Sequence, residues 1–257
     1  RQYRGDWVLV ATGGVSYPGT GSRGAGYELA KQAGHTVRPP VPSLVSLVAQ
    51  GGECRRMMGL ALKNVGLTLY QDGKSMFQEQ GEALFTHFGL SGPLVLSASA
   101  HLGDLAKHKY EVGFDLKPAL SHEQLYARLN RDLTALANRD AANCLVKLLP
   151  ASMQPVMVER WGVDPAKKAN QLTKEERLAL VELMKDFRIK IRERGDLEHA
   201  VITSGGVTVK EVDPRTMASK KCPGLYFAGE VLDVDAYTGG YNLQIAFCTA
   251  QSFANNL

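Results

Sequence analysis

Glycines and acidic residues near the end of the chain have the spacing of a ligand-binding loop. Gly229, Glu230 and Asp233 follow a short apolar run, and Gly239 and Gly240 come just before apolar residues at helical spacing. Paired glycines let a flat or anionic group approach the backbone, because no Cβ is in the way. The carboxylates could accept hydrogen bonds from ligand hydroxyls or amides. The pattern therefore indicates a ligand site, and the alternative is a plain strand-loop-helix joint.

A strand and a helix would position this loop. Leu225–Ala228 is an apolar run between glycines and predicts a buried strand. From Asn242 onward, apolar residues recur every three or four positions, which predicts a helix. At such a joint in an open α/β sheet, unpaired N–H groups and the positive helix end converge on the ligand.

Two further strands in the sequence end in glycine turns. The apolar run Trp7–Ala11 opens into Thr12–Gly14, and Ala200–Val207 contains the pair Gly205 and Gly206. The full G-x-G-x-x-G spacing directly after a strand is absent. Several such turns in one chain favour a dinucleotide site more strongly than a single glycine pair does.

The sequence pattern changes in the middle of the chain. Three prolines between 39 and 42 mark a boundary, and short alternating segments follow, with a hairpin signal at Asp72–Gly73. Capping boxes beginning at Ser121 and Thr173 introduce amphipathic helices. Residues 187–192 alternate apolar and basic, which predicts a half-buried strand with one basic face, Arg188, Lys190 and Arg192. These signals predict a small antiparallel sheet or barrel and a helical cluster.

Charge, cysteine content and hydropathy limit the classes of function that the chain can have. The net charge of +4 permits an anionic ligand such as a nucleotide, but it does not favour nucleic acid as a partner, because no long basic run accompanies it. The four cysteines form no C-x-x-C pair, so we expect no metal site and free thiols in a reducing cytosol. No stretch could span a bilayer and no signal peptide is visible, so we expect a cytoplasmic protein without a membrane partner.

Six motifs in order resemble the BaiN-like flavoproteins, which are also described as aminoacetone oxidase family or NAD(P)/FAD-dependent oxidoreductases. The resemblance runs from about Trp7 to Ala250. The motifs are Ala11–Gly14, Ser16–Gly21, Leu84–Pro93, Thr203–Val207, Gly224–Glu230 and Thr238–Gln244.

The resemblance implies an α/β fold, α+β overall, in which a Rossmann-type FAD-binding domain is interrupted by a β-barrel and a helical insert. The FAD-binding domain would comprise residues 1–40 and 197–257, and the β-barrel would comprise residues 41–118 and 185–196. The helical insert would comprise residues 119–184. It implies FAD as cofactor, NAD(P)H as electron donor, a small-molecule substrate, and hydride transfer to or from the flavin. The implied cofactor-binding residues are Thr12, Gly13, Gly14, Gly205, Gly206, Gly229, Glu230, Asp233, Gly239, Gly240, Tyr241, Asn242 and Leu243.

The sequence also departs from such flavoproteins. Their N-terminal G-x-G-x-x-G half has no counterpart here, so we expect a fragment of a longer enzyme, and Ala236 stands where glycine is usual. His87, Tyr237 and Tyr241 are the candidates for proton transfer, and none can be assigned. A binding module without catalysis, and a nucleic-acid-modifying flavoprotein that uses the basic strand, are the alternative hypotheses. The substrate, the choice of nicotinamide and the oligomeric state are not encoded in a recognisable way.

Overall fold

The computed structural model describes residues 5–256, and these residues contain ten strands and seven α-helices. The strands are β1 (Val8–Val10), β2 (Val37–Ser43), β3 (Leu47–Ala49), β4 (Ala61–Gln71), β5 (Lys74–Phe85), β6 (Gly89–Ser91), β7 (Tyr110–Asp115), β8 (Phe187–Arg194), β9 (Ile202–Val207) and β10 (Leu225–Phe227). The helices are α1 (Ala25–Gln32), α2 (Glu53–Arg56), α3 (Pro93–Ser99), α4 (His122–Ala135), α5 (Gln154–Trp161), α6 (Lys174–Lys185) and α7 (Tyr241–Ala254).

The chain divides into two compact units. The first consists of residues 1–45 and 195–257, and the second of residues 46–194. In the first unit, β1 pairs in parallel with β10, and β2 pairs antiparallel with β9. Val10, Phe227 and Val231 are buried together in its core. The apolar run at residues 7–11 predicts a buried parallel strand, and this is wrong for Val8, which is 57% exposed, while Val10 at the other end of β1 is buried.

The second unit contains a closed six-stranded barrel, with the strand order β3-β6-β5-β4-β7-β8. Asp72 and Gly73 both have positive φ, 50° and 81°, and join β4 to β5 in the two-residue hairpin predicted for them. In β8, Phe187 and Ile189 are buried while Lys190 is exposed, which confirms the half-buried strand with a basic outer face.

The helices of the second unit pack on the same core as the barrel. Ser121 and Thr173 form the predicted capping boxes, each with the residue three positions later, and begin α4 and α6. Leu129 of α4 and Val181 of α6 are buried in a cluster that also contains barrel residues. The apolar face of each helix is therefore covered, and burial of this face rather than helix propensity supplies most of its stability.

The predicted fold class is confirmed: the molecule is α/β, α+β overall, and combines a unit of parallel and antiparallel strand pairs with a barrel and helices. The finer division of the insert, at the boundaries given above, stays a prediction. Among the helices of the described residues, none has the length and apolarity needed to cross a membrane.

Candidate functional site

The parallel pair β1 and β10 places two of the predicted glycine turns side by side. Val10 is the register partner of Phe227, and the Ala228 N–H donates to the Val10 carbonyl oxygen at 3.1 Å. Because both strands run in the same direction, Thr12–Gly14 and Gly229–Glu230 leave the sheet at the same edge. This edge of the first unit is the candidate functional site.

Thr203 and Glu230 join the segments at this edge. The Thr203 hydroxyl oxygen accepts hydrogen bonds from the N–H groups of Val15 and Ser16, at 2.8 and 3.0 Å. Glu230 Oε1 in turn accepts from the Thr203 N–H at 2.7 Å and from the Ser16 hydroxyl at 3.3 Å. Thr203 is buried, so water competes little for these bonds. The loop after β1 is therefore fastened to β9 and to the turn after β10.

Gly14 lies in van der Waals contact with this junction and has no room for a side chain. A Cβ at Gly14 would overlap with Thr203 Oγ1 and lie 2.5 Å from Glu230 Oε1, closer than real Cβ contacts. Gly13 has a φ of 75°, which a residue with a Cβ adopts only with strain. Gly14 is thus required by the packing of the chain itself, and Gly13 by its backbone conformation, whatever ligand the turn holds.

The predicted glycine turn at the third strand is not formed: Gly205 and Gly206 lie within β9, with φ values of 92° and 130°, and this strand passes close to the turn after β10. The Asp233 N–H donates to the Val207 carbonyl oxygen at 2.8 Å, and a Cβ at Gly206 would lie 2.6 Å from the Val231 carbonyl oxygen. A Cβ at the neighbouring Gly205 would lie 2.5 Å from a backbone carbonyl oxygen of β2. The close backbone approach explains the glycine pair.

Asp233 is held by a cation rather than left free. Its carboxylate pairs with Arg38 Nε at 3.1 Å, and its side chain is 14% exposed. Glu230, by contrast, has one oxygen engaged by the chain, while Oε2 forms no hydrogen bond among the described residues. Glu230 Oε2 is therefore the better placed of these acceptors for a ligand hydroxyl.

The start of α7 forms the remaining side of the site. Asn242 Oδ1 accepts from the Ala236 N–H at 2.8 Å, and its Nδ2 donates to the Ala236 carbonyl at 2.7 Å, so the loop is tied back to the helix. Gly239 and Gly240 have φ values of 115° and 88°, and no side chain caps the helix. The first N–H groups of a 14-residue helix are thus available, together with its positive end.

Apolar side chains lie exposed at this helix start. Tyr241 and Leu243 are 61% and 65% exposed, and Phe247, one turn further, is 69% exposed. A Cβ at Gly240 would meet nothing within 4 Å, so the space before the helix is open. A ligand with a flat, partly apolar ring and an electron-rich edge matches these two features.

Sequence reasoning missed the residues that hold the turns together. Thr203, Ser16 and Asp235 were not predicted as site residues, although the Asp235 carboxylate accepts from the hydroxyls of Ser43 and Ser204, at 3.4 and 3.1 Å. Thr203 and Ser16 are 187 positions apart, and no local signal could connect them. The predicted residues Thr12, Gly13, Gly14, Gly205, Gly206, Gly229, Glu230, Asp233, Gly239, Gly240, Tyr241, Asn242 and Leu243 all belong to the first unit.

The three candidates for proton transfer, His87, Tyr237 and Tyr241, are all exposed, whereas Tyr27, which was not predicted, is buried. His87 is exposed in the turn between two barrel strands of the second unit, where its ring packs edge-on against Phe88 at 5.0 Å. In the first unit, Tyr27 is buried, and burial, followed by the charge of Glu230, raises the pKa of Tyr27 to about 12. Tyr27 is therefore a neutral phenol at physiological pH, and its buried hydroxyl has no hydrogen-bond partner among the described residues.

A second polar network supports the opposite end of α1. The ring of buried His35 contacts Glu211 Oε2 at 3.1 Å and the Ser219 hydroxyl at 2.6 Å. Lys221 pairs with the same carboxylate at 2.7 Å. The hydrogen bond from Lys221, opposed by desolvation and assisted by two bonds from Thr36, lowers the pKa of Glu211 to about 2. This network stabilises the packing at the end of α1. Because of its low pKa, Glu211 remains charged throughout the physiological pH range.

A comparison with known families matches residues 1–256 to the HI0933-like protein Rossmann domain. The chain belongs to this family. The match agrees with the parallel pair and glycine turns described above, and with the resemblance to BaiN-like flavoproteins seen in the motifs.

Three curated relatives are similar to this HI0933-like chain. It is 33% identical over 252 residues to a ribosomal RNA dihydrouridine synthase from Escherichia coli, covering 97% of this chain and 60% of the relative. It is 30% identical over 254 residues to a 3-dehydro-bile acid delta(4,6)-reductase from Clostridium scindens, covering 97% and 61%. A ribosomal RNA dihydrouridine synthase from Haemophilus influenzae is 33% identical over 249 residues, covering 96% and 59%. The chain thus spans about three fifths of the length of these relatives.

Proposed function

We propose that the chain is the flavin-binding part of an FAD-dependent reductase that saturates a carbon–carbon double bond conjugated to a carbonyl group. The observation that carries this proposal is the convergence of two glycine turns, the glycine pair of β9 and an uncapped helix start at one edge of the first unit. The family match supports a Rossmann-type nucleotide site at this edge. The names of the relatives support the type of reaction.

The printed names of the relatives share one chemistry. Making dihydrouridine adds two hydrogens across the double bond of the uracil ring, beside its carbonyl. A delta(4,6)-reductase of a 3-dehydro substrate acts on double bonds conjugated to a ketone. Both reactions add a hydride and a proton to a conjugated alkene. We propose this reaction class for the present chain, with reduced nicotinamide as the source of the hydride.

FAD, when bound, would supply the hydride chemistry, and the chain would supply position and electrostatics. The N–H groups of Tyr241–Leu243 would face the electron-rich edge of the isoalloxazine ring and favour negative charge there. Tyr241 and Leu243 would cover part of the ring with apolar surface. Glu230 Oε2 would accept a hydrogen bond from a ribityl hydroxyl. The rigid junction at Thr203 would keep these groups in fixed positions.

A pair of glycine substitutions tests the proposed site. Gly240 and Gly34 both have positive φ, 88° and 84°, and a Cβ at either would meet nothing within 4 Å. Gly240→Val and Gly34→Val should therefore cost similar folding free energy through backbone strain. Only Gly240 lies at the start of α7, so only its substitution should weaken FAD binding, by roughly tenfold, or about 1.4 kcal/mol.

The measurement is a titration of the purified chain with FAD, followed by quenching of flavin fluorescence. Oxidation of NADH or NADPH coupled to reduction of 2-cyclohexenone would then test the reaction class. Absence of FAD binding by the wild-type chain, or equal loss in both glycine variants, would contradict the proposed site. Such a result would favour a binding module without redox chemistry.

A cytosolic location is part of the proposal. The four cysteines, two of them buried, are all unpaired, which is the usual state of thiols in a reducing compartment.

A further inference from the structure

The positive charge of the chain is unevenly distributed. Lysine and arginine balance aspartate and glutamate in the first unit, with nine of each, so the whole net charge of +4 lies in residues 46–194. The low overall charge, which did not favour nucleic acid as a partner, thus hides a second unit that is basic by itself. The location of its unpaired cations decides what this charge can bind.

The basic face of β8 is the first candidate, and acidic neighbours neutralise much of it. Arg188 donates to Asp186 Oδ2 at 2.7 Å and to Glu111 Oε2 at 3.3 Å. Lys190 is the register partner of Glu111 in the barrel. Arg192 pairs with the next residue along the chain at 3.1 Å. Most of the positive charge on β8, the strand that the sequence suggests for nucleic-acid binding, is therefore neutralised and is not free to bind phosphates.

A second group of cations lies where α4 meets the rim of the barrel. One hollow there is lined by Arg128 and Arg131, and a second one by Lys63 and Lys117. Leu120, which lines the first hollow, donates its N–H to the carbonyl oxygen of Lys117 at 3.0 Å, so the two hollows are close together. Arg128 Nη2 donates to the Lys147 carbonyl oxygen at 3.3 Å, and Leu149, two residues further along the chain, lines the second hollow, so the exposed Lys147 belongs to the same region of the surface. We call these five cationic residues the basic groove.

The basic groove has far more positive than negative charge. Within the described residues, Lys63, Lys117, Arg131 and Lys147 form no ion pair, and Arg128 approaches one carboxylate, Asp132, at 3.8 Å. Burial, and then repulsion by Arg128, lowers the pKa of Lys117. Five like charges with a single carboxylate at 3.8 Å from one of them indicate a surface that an anion would stabilise.

We propose that the basic groove binds the phosphate backbone of an RNA substrate. The inference rests on the proposed function, because RNA is one of the two kinds of molecule named for the relatives, and the groove is the feature that distinguishes a polyanion from an uncharged or singly charged small molecule. The groove is lined by long, flexible cations and by no exposed aromatic side chain, so it would hold backbone phosphates rather than read bases.

Two matched triple variants test the inference. Lys63→Gln, Arg131→Gln and Lys147→Gln together remove three exposed cations from the groove. Lys74→Gln, Lys190→Gln and Arg192→Gln remove three exposed cations elsewhere in the same unit. Each set contains two lysines and one arginine, so both variants lose the same net charge. Circular dichroism and thermal unfolding would establish that both remain folded.

The assay is fluorescence anisotropy of a fluorescein-labelled, uridine-containing RNA stem-loop at several salt concentrations. The groove variant should bind at least about tenfold more weakly at low salt and should lower the slope of log affinity against log salt by about 2 to 3, because three phosphate contacts are lost. The control variant should keep most of the affinity and slope. Equal loss in both variants, unchanged binding in the groove variant, or no binding by the wild-type chain would overturn the inference.

Two further readouts separate the possible failures. Phosphatidylserine-containing vesicles replace RNA in a parallel titration, and binding to vesicles but not to RNA would also overturn the inference. FAD titration should give the same affinity for both triple variants and the wild type. Groove-dependent RNA binding by a chain that binds no FAD would refute the proposed function and leave the groove intact as an RNA-binding surface.

Discussion

Replacement of Thr203 by valine is the most informative change at the candidate site. Valine keeps the shape of threonine, but it has no oxygen to accept the N–H groups of Val15 and Ser16. A buried donor left without a partner costs about 1–3 kcal/mol, and the lower end applies here because these contacts are only partly buried. The loss of both acceptor contacts should therefore destabilise the folded loop by about 2 kcal/mol.

Hydrogen exchange measured by mass spectrometry gives the local readout. A loss of about 2 kcal/mol would speed exchange in a peptide covering residues 12–22 by roughly 30-fold, provided that exchange occurs through local opening. Thr203→Ser is the matched control, because serine keeps the hydroxyl and loses only one methyl group, at a cost of about 1 kcal/mol. If valine and serine gave the same exchange in this peptide, the hydroxyl would not be what holds the loop.

Two further predictions concern the first unit. Gly14→Ala should destabilise it by about 1–3 kcal/mol, because the new Cβ would overlap with Thr203 Oγ1, whereas Gly19→Ala, whose Cβ would meet nothing within 4 Å, should be nearly neutral in urea unfolding. Glu211 has a folded pKa lowered from 4.5 to about 2, so its stabilising contribution is complete above pH 4.5 and is lost as the pH falls towards 2. Glu211→Gln should remove that part of the pH dependence, and a wild-type slope that persists in the variant would show that another group causes it.

The parts of the fold that sequence could predict rest on local signals. The Asp72–Gly73 hairpin and the capping boxes at Ser121 and Thr173 each need only a few neighbouring residues, and the alternation in β8 needs only its own eight. The exposure of Val8 could not be predicted in this way. An apolar strand is buried only if other elements cover it, and this information lies outside the strand.

The glycines of the candidate site could be predicted from the sequence, but the hydrogen bonds that join its segments could not. Gly14, Gly205 and Gly206 stand out in the sequence, but what they touch depends on contacts between distant segments. Thr203 looks ordinary in the sequence, and its role follows from a hydrogen bond across 188 positions. The basic groove is of the same kind, because Lys63, Arg131 and Lys147 come together only through tertiary packing.

Protection from hydrogen exchange on addition of FAD tests the central claim most directly. If the glycine turns after β1 and β10, the glycine pair of β9 and the start of α7 form one flavin site, FAD should slow exchange together in peptides covering 12–16, 203–207 and 229–243, and should leave the barrel strands unchanged. Protection confined to residues 46–194, or protection in only one of the three segments, would contradict the account.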